Sequence, residues 1–101
     1  MSESADAATD RVLVLHGDVD VIRADQVVAD GDAVLRATPT GQRFTVDLSD
    51  VAFIDSSGLS GLLRLRRTAQ QRGIEIRLRG VPDHVAALLR LSGLEQVLPT
   101  E

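Results

Sequence analysis

Asp55-Ser56-Ser57-Gly58 is the segment of this sequence with the most concentrated chemical character: two adjacent hydroxyls between a carboxylate and a glycine. It follows the apolar run Val51-Ala-Phe-Ile54 and precedes a leucine-rich stretch that begins at Leu59. That places it at a strand-to-helix corner. A side-chain oxygen there accepts from the free amides of the first helical turn. The helix dipole and those amides also tolerate added negative charge. A phosphate on Ser56 would be held at this corner without unfolding the domain, and would add a charge of roughly −1.5 to −2. Beside Asp55 it would make the corner strongly anionic, so a docked partner would meet both bulk and repulsion. The same four residues also make a good N-cap, and physics alone leaves that plainer reading open. A serine nucleophile is the third possibility, but it needs a general base and an oxyanion hole. Only His16 and His84 supply the usual base, and Ile54-Asp55-Ser56-Ser57-Gly58 lacks the first glycine of a Gly-x-Ser-x-Gly elbow. We therefore expect a binding protein, not an enzyme.

Composition narrows the field further. The chain has 101 residues, 44 % hydrophobic and 26 % charged, the balance of one soluble globular domain. Cysteine is absent, which removes disulfides, thiolate chemistry and cysteine zinc sites. With two histidines, metal chemistry is poorly supplied, and no metal or cofactor is expected. Phe44 and Phe53 are the only aromatics, too few for base stacking. All eleven basic residues are arginine, so there is no P-loop lysine and no Schiff base. A net charge of −4 disfavours nucleic acid and anionic membranes as partners. No apolar run approaches the ~20 residues of a membrane span. Met1–Asp10 lacks a basic flank and an apolar region, so it does not read as a signal peptide and the expected compartment is the cytoplasm.

The elements that must position the corner follow from periodicity. Residues 1–10 are small, polar and acidic, and read as a mobile tail ahead of a domain over 11–101. Arg11–His16 reads as a buried strand ending at Gly17. Apolar residues at Ala24, Val27, Val28, Val34 and Leu35 predict a helix over about 24–37, weakened at Gly31. Thr38-Pro-Thr-Gly41 is a turn. Arg43–Ser49 alternates as a strand, with Phe44, Val46 and Leu48 on one face, and Val51–Asp55 is a separate apolar stretch. After Ser56 the helix has Leu59, Leu62, Leu63 and Ala69 on one face and Ser60, Arg64, Arg67 and Gln71 on the other. Leu65 falls off that core stripe and reads as an exposed anchor, and Gly73 suits the C′ position. Ile74–Arg79 alternates as a strand. Pro82 opens a last helix with Val85, Leu88, Leu89 and Leu91 as its stripe, ended by Gly93. Leu94–Leu98 has no clear type. The β–α–β–α–β–α order predicts an α/β domain with a small, mostly parallel sheet and helices largely on one side. With no broad apolar helix face left exposed, a monomer is expected.

Asp47-Leu-Ser-x-Val-x-Phe-Ile-Asp-Ser-Ser-Gly-Leu59 resembles the signature of STAS domains, specifically of bacterial anti-sigma-factor antagonists. Gly17-Asp-Val-Asp20 is similar to that family's Gly-Glu-Leu-Asp after an early strand. Gly73–Leu78 is similar to its late strand, and Val85–Leu94 to its closing helix and Gly-Leu turn. The resemblance covers about residues 11–98 and implies a STAS-like single domain. It implies a cytoplasmic protein that binds an anti-sigma factor, a serine kinase of the GHKL ATPase type, and so releases a sigma factor. The kinase would phosphorylate the residue matching Ser56, with Ser57 the second choice, and a PP2C-type phosphatase would reverse it. Asp20 and Asp55 match family aspartates at the phosphoserine corner; Asp20 also reads as an N-cap. Gly58 would allow close approach of partner or phosphate, or tight helix packing. Ser60 and Arg64, on the exposed face of the same helix, would be rim contacts. Three features depart from the family. Arg23 stands where relatives often carry Ser or Thr, and would pair with a phosphate on Ser56 if it lies nearby. Residues 1–10 do not resemble the extra N-terminal strand of relatives, and Gly31 interrupts the first helix. An alternative within the family is an accessory STAS subunit of a lipid-transport or stressosome-like complex.

Overall fold

A computed structural model of the chain describes residues 10–101. Three strands, β1 (Asp10–Val19), β2 (Arg43–Ile54) and β3 (Glu75–Arg79), form one sheet in the order β1-β2-β3. All pairings are parallel, as the alternating element order predicts. Helices α1 (Val21–Arg36), α2 (Ser56–Gln71) and α3 (Asp83–Ser92) make the crossovers and the closing layer. The predicted tail over 1–10 falls on residues outside the described chain, except that Asp10 already opens β1.

The core forms where the alternating apolar residues of the strands meet the helix stripes. Phe44, Val46 and Leu48 of β2, Ile76 and Leu78 of β3, and Leu15 of β1 are buried against Val27, Val28, Leu35, Leu62, Leu65, Val85 and Leu89. Burying a side chain of this size stabilises by roughly 1.5–3 kcal/mol, so this face of the sheet dominates the fold. The other face carries the rows Val12–Thr45–Arg77 and Val14–Asp47–Arg79, set by register. The two stretches over 43–49 and 51–55 are one strand of 12 residues. β1 runs beside it throughout, and two register shifts absorb the mismatch, between Val14 and His16 and between Gly17 and Asp18. Gly17 has φ +68° at the second shift, a conformation that side chains resist.

Three expectations are corrected. Leu65 is not an exposed anchor; it is fully buried. Gly31 does not interrupt α1, which runs through it. The two residues meet, since a Cβ at Gly31 would lie 2.5 Å from Leu65 Cδ2. The two helices cross there, and the glycine makes room for the leucine. Leu91 does not belong to the α3 stripe and is 82 % exposed. The helix starts earlier than the periodicity suggests because Asp20 caps α1 at Val21. At the other end, Gly73 follows the last residues of α2 with φ +68°, as predicted. After a short 3-10 turn at Leu94–Gln96 the chain returns to β3. There Leu78 N donates to Pro99 O (2.8 Å) and Glu101 N donates to Leu78 O (2.8 Å), which covers the outer edge of β3.

On the second face of the sheet, Asp47 accepts from Ser49 Oγ (2.6 Å), Ser49 N (2.9 Å) and Arg79 Nη2 (3.1 Å). The Ser49 bonds, aided by Arg79 and opposed by burial, hold the Asp47 carboxyl below its usual range. A carboxylate lowered on folding stabilises the fold above its unfolded pKa, and that stability fades as pH falls through the folded value. Asp47→Asn is therefore expected to cost about 1 kcal/mol at neutral pH and close to nothing in strong acid. Urea unfolding at both pH values checks this, and an equal cost at both would refute it.

Candidate functional site

The corner is built twice over. β1 and β2 end side by side, with Val19 paired to Ile54 and Asp55 N donating to Val19 O at 3.3 Å. Each strand is followed by one aspartate and then a helix. Asp20 and Asp55 adopt nearly the same extended backbone, φ −115° and −110°. Asp20 Oδ1 accepts from Ile22 N (3.1 Å) and Arg23 N (3.2 Å). Asp55 Oδ1 accepts from Gly58 N (3.0 Å). Both carboxylates thus satisfy orphan amides of a first turn. The capping reading of Asp20 holds, and it places that aspartate beside the Asp55 corner.

The helices then run alongside each other. Gly58 sits against Val19, Gly61 against Ala24 and Val28, and Gly31 against Leu65, while Arg72 Nη1 donates to Leu35 O at 2.6 Å. Contacts that advance together along both helices mean parallel helices, with their first turns level. Ser56, the first residue of α2, is exposed, and its hydroxyl has no hydrogen-bond partner among the described residues. Ser57 is half-buried. Gly58 is buried, and any Cβ there would overlap Val19 O, so its role in this structure is close packing of α2 on β1. Ser60 lies exposed on α2. Arg64, also exposed, reaches across to Asp25 of α1 at 3.3 Å.

Arg23 is neither free in solvent nor poised on Ser56. Its Nη1 donates to the carbonyls of His16 and of Asp18 (3.0 Å). It clasps the irregular end of β1 around Gly17, and so steadies the approach to Asp20. His16 faces Asp50 across the strand pair, with Nδ1 3.3 Å from Oδ2, both side chains well exposed. Asp18, Asp20, Asp50 and Asp55 therefore gather at one end of the sheet.

Three residues at this end escaped the sequence reading. Val21 and Ile22, in the first turn of α1, are 68 % and 85 % exposed, and Phe53 near the end of β2 is 48 % exposed. Ile22 carried a signal, since it is out of phase with the stripe Ala24–Val27–Val28–Leu35. No concave pocket and no cluster of three metal-ligating side chains occurs among the described residues. No described helix is long and apolar enough to cross a membrane.

Comparison with known proteins agrees with this geometry. The family model described as "Mlab, STAS domain" matches residues 3–99. A STAS-domain containing protein of Pseudomonas aeruginosa is 36 % identical over 66 residues, 65 % of each chain. The match thus spans just under two thirds of that relative's length. An anti-sigma factor antagonist from Mycobacterium paratuberculosis is 25 % identical, with a TM-score of 0.71 over 91 % of this chain and 76 % of that one. A sulfate transporter family protein from Wolinella succinogenes is 24 % identical, with a TM-score of 0.74 over 89 % and 71 %.

Proposed function

The chain belongs to the STAS-domain family, and from that premise we propose that it is an anti-sigma-factor antagonist switched by phosphorylation of Ser56. Unmodified, it binds an anti-sigma factor that is a GHKL-type serine kinase and so releases a sigma factor. The kinase phosphorylates Ser56, the complex dissociates, and a PP2C-type phosphatase restores binding. The observation that carries this reading is the exposed, unbonded Ser56 hydroxyl at the first position of α2, level with the start of α1. A phosphate there meets the favourable end of the α2 dipole, so the fold is retained. Its bulk and charge fall on the surface a partner would cover. Ser57, half-buried, is the poorer acceptor. No histidine or carboxylate is bonded to the Ser56 hydroxyl among the described residues, which supports a binding role over nucleophilic catalysis.

Two experiments test the reading together. Peptide mass spectrometry on protein from its native cell is expected to find one phosphate on Ser56, absent from Ser56→Ala. In titration against its kinase, Ser56→Ala is expected to bind constitutively, and phosphorylation to weaken binding roughly 100-fold or more, the size of a several-kcal/mol mismatch. Ser56→Asp, with less charge and bulk, weakens it less. A folded Ser56→Ala protein that fails to bind would make the hydroxyl itself a contact and defeat the switch. An unphosphorylated Ser56 under all growth conditions would favour a constitutive accessory subunit.

A further inference from the structure

Six large apolar side chains are exposed among the described residues: Val12, Val14, Val21, Ile22, Phe53 and Leu91. Val12 and Val14 lie on the sheet face away from the helices, in the rows of Thr45 and Asp47, and Leu91 is on α3. The other three share the acidic end. Phe53 is paired in register with Asp18. Val21 and Ile22 begin α1, level with Ser56 at the start of α2. Single exposed apolar residues are ordinary. Three around a free hydroxyl, with no pocket between them, match the apolar centre of a protein contact surface.

The charges around them are mostly negative. Of Asp18, Asp20, Asp50 and Asp55, only Asp50 has a basic side chain within 4 Å among the described residues, the His16 imidazole. Arg23, whose Nη1 is held by the carbonyls of His16 and Asp18, keeps its positive charge at this end, and the four carboxylates outnumber it. Such a rim repels nucleic-acid phosphates and anionic lipid and attracts cations.

Resting on the reading of this corner as the partner-docking surface, we propose that Ile22, supported by Val21 and Phe53, anchors the contact, and that the partner presents an apolar patch rimmed by arginine or lysine opposite Asp18 and Asp50. This fixes how the switch works. Against a cationic rim, a phosphate on Ser56 does not act by long-range repulsion. It acts by its bulk and by the cost of dehydrating a dianion between apolar surfaces.

The probes are the purified serine-kinase anti-sigma factors of the protein's own genome, each titrated against the full chain. Ile22→Ser is expected to weaken the tightest complex at least roughly tenfold with an unchanged thermal midpoint, because the side chain supports nothing in the core. Leu91→Ser is the control and should leave binding intact. Raising salt from roughly 50 to roughly 500 mM should weaken the unmodified complex, while the penalty from phosphorylation persists. If Ile22→Ser and Phe53→Ser bind normally while Ser56 phosphorylation still abolishes binding, the anchor is wrong and the switch stands. If the phosphorylation penalty shrinks with salt, repulsion governs and the cationic rim is wrong. If no kinase binds, both readings fall.

Discussion

Gly58→Ala is expected to destabilise the domain by about 3 kcal/mol, at the upper end of overpacking costs. The added Cβ would overlap Val19 O and lie 2.6 Å from Ile54 Cγ1 and 3.0 Å from Val19 Cγ1. A side chain can rotate away from such a contact; a backbone carbonyl in a paired strand cannot. The only relief is for the first turn of α2 to lift off β1, which displaces Asp55 and Ser56 together. Alanine's better helix propensity returns about 1 kcal/mol, too little to compensate. Urea unfolding measures the cost, and titration of the kinase should show weakened binding even in protein that remains folded. A Gly58→Ala protein as stable as the parent would mean that α2 does not approach β1 this closely.

The second large effect is a reversal of sign at the α1–α2 crossing. Leu65→Ala is expected to cost about 3 kcal/mol, because the side chain is fully buried and its loss leaves a cavity. Gly31→Ala in the parent should also destabilise, by about 1–2 kcal/mol, since the new methyl lies 2.5 and 2.6 Å from the two Leu65 Cδ atoms. With Leu65 already shortened, the same substitution fills part of the cavity and improves helix propensity. Gly31→Ala should then stabilise, by up to about 1 kcal/mol. A double-mutant cycle in urea reads this coupling directly. Additive costs, or a stabilising Gly31→Ala in the parent, would show that the two residues do not share one space.

Local rules were enough for much of this protein. The alternation in β2 and β3, the element order and the Gly73 ending need only neighbours in sequence, and they lead to a parallel α/β sheet with helices on one side. The Asp55-Ser56-Ser57-Gly58 corner is legible for the same reason, since a cap and its first turn are made of consecutive residues. Asp20 was readable as a cap for that reason too. What the tertiary structure alone decided are matters of pairing and extent. Leu65 stands three residues after Leu62 and four before Ala69, on the buried face those two define, so helical phase centred on them places it inside; what only the fold shows is that Gly31 of α1 makes room for it. Arg23 found its partners only because β1 slips register around Gly17 and turns two carbonyls towards it. Val21, Ile22 and Phe53 are exposed because they sit where the sheet runs out. Hydrophobicity pulls an apolar side chain inward only where another layer covers it, and periodicity does not say where the neighbouring elements end.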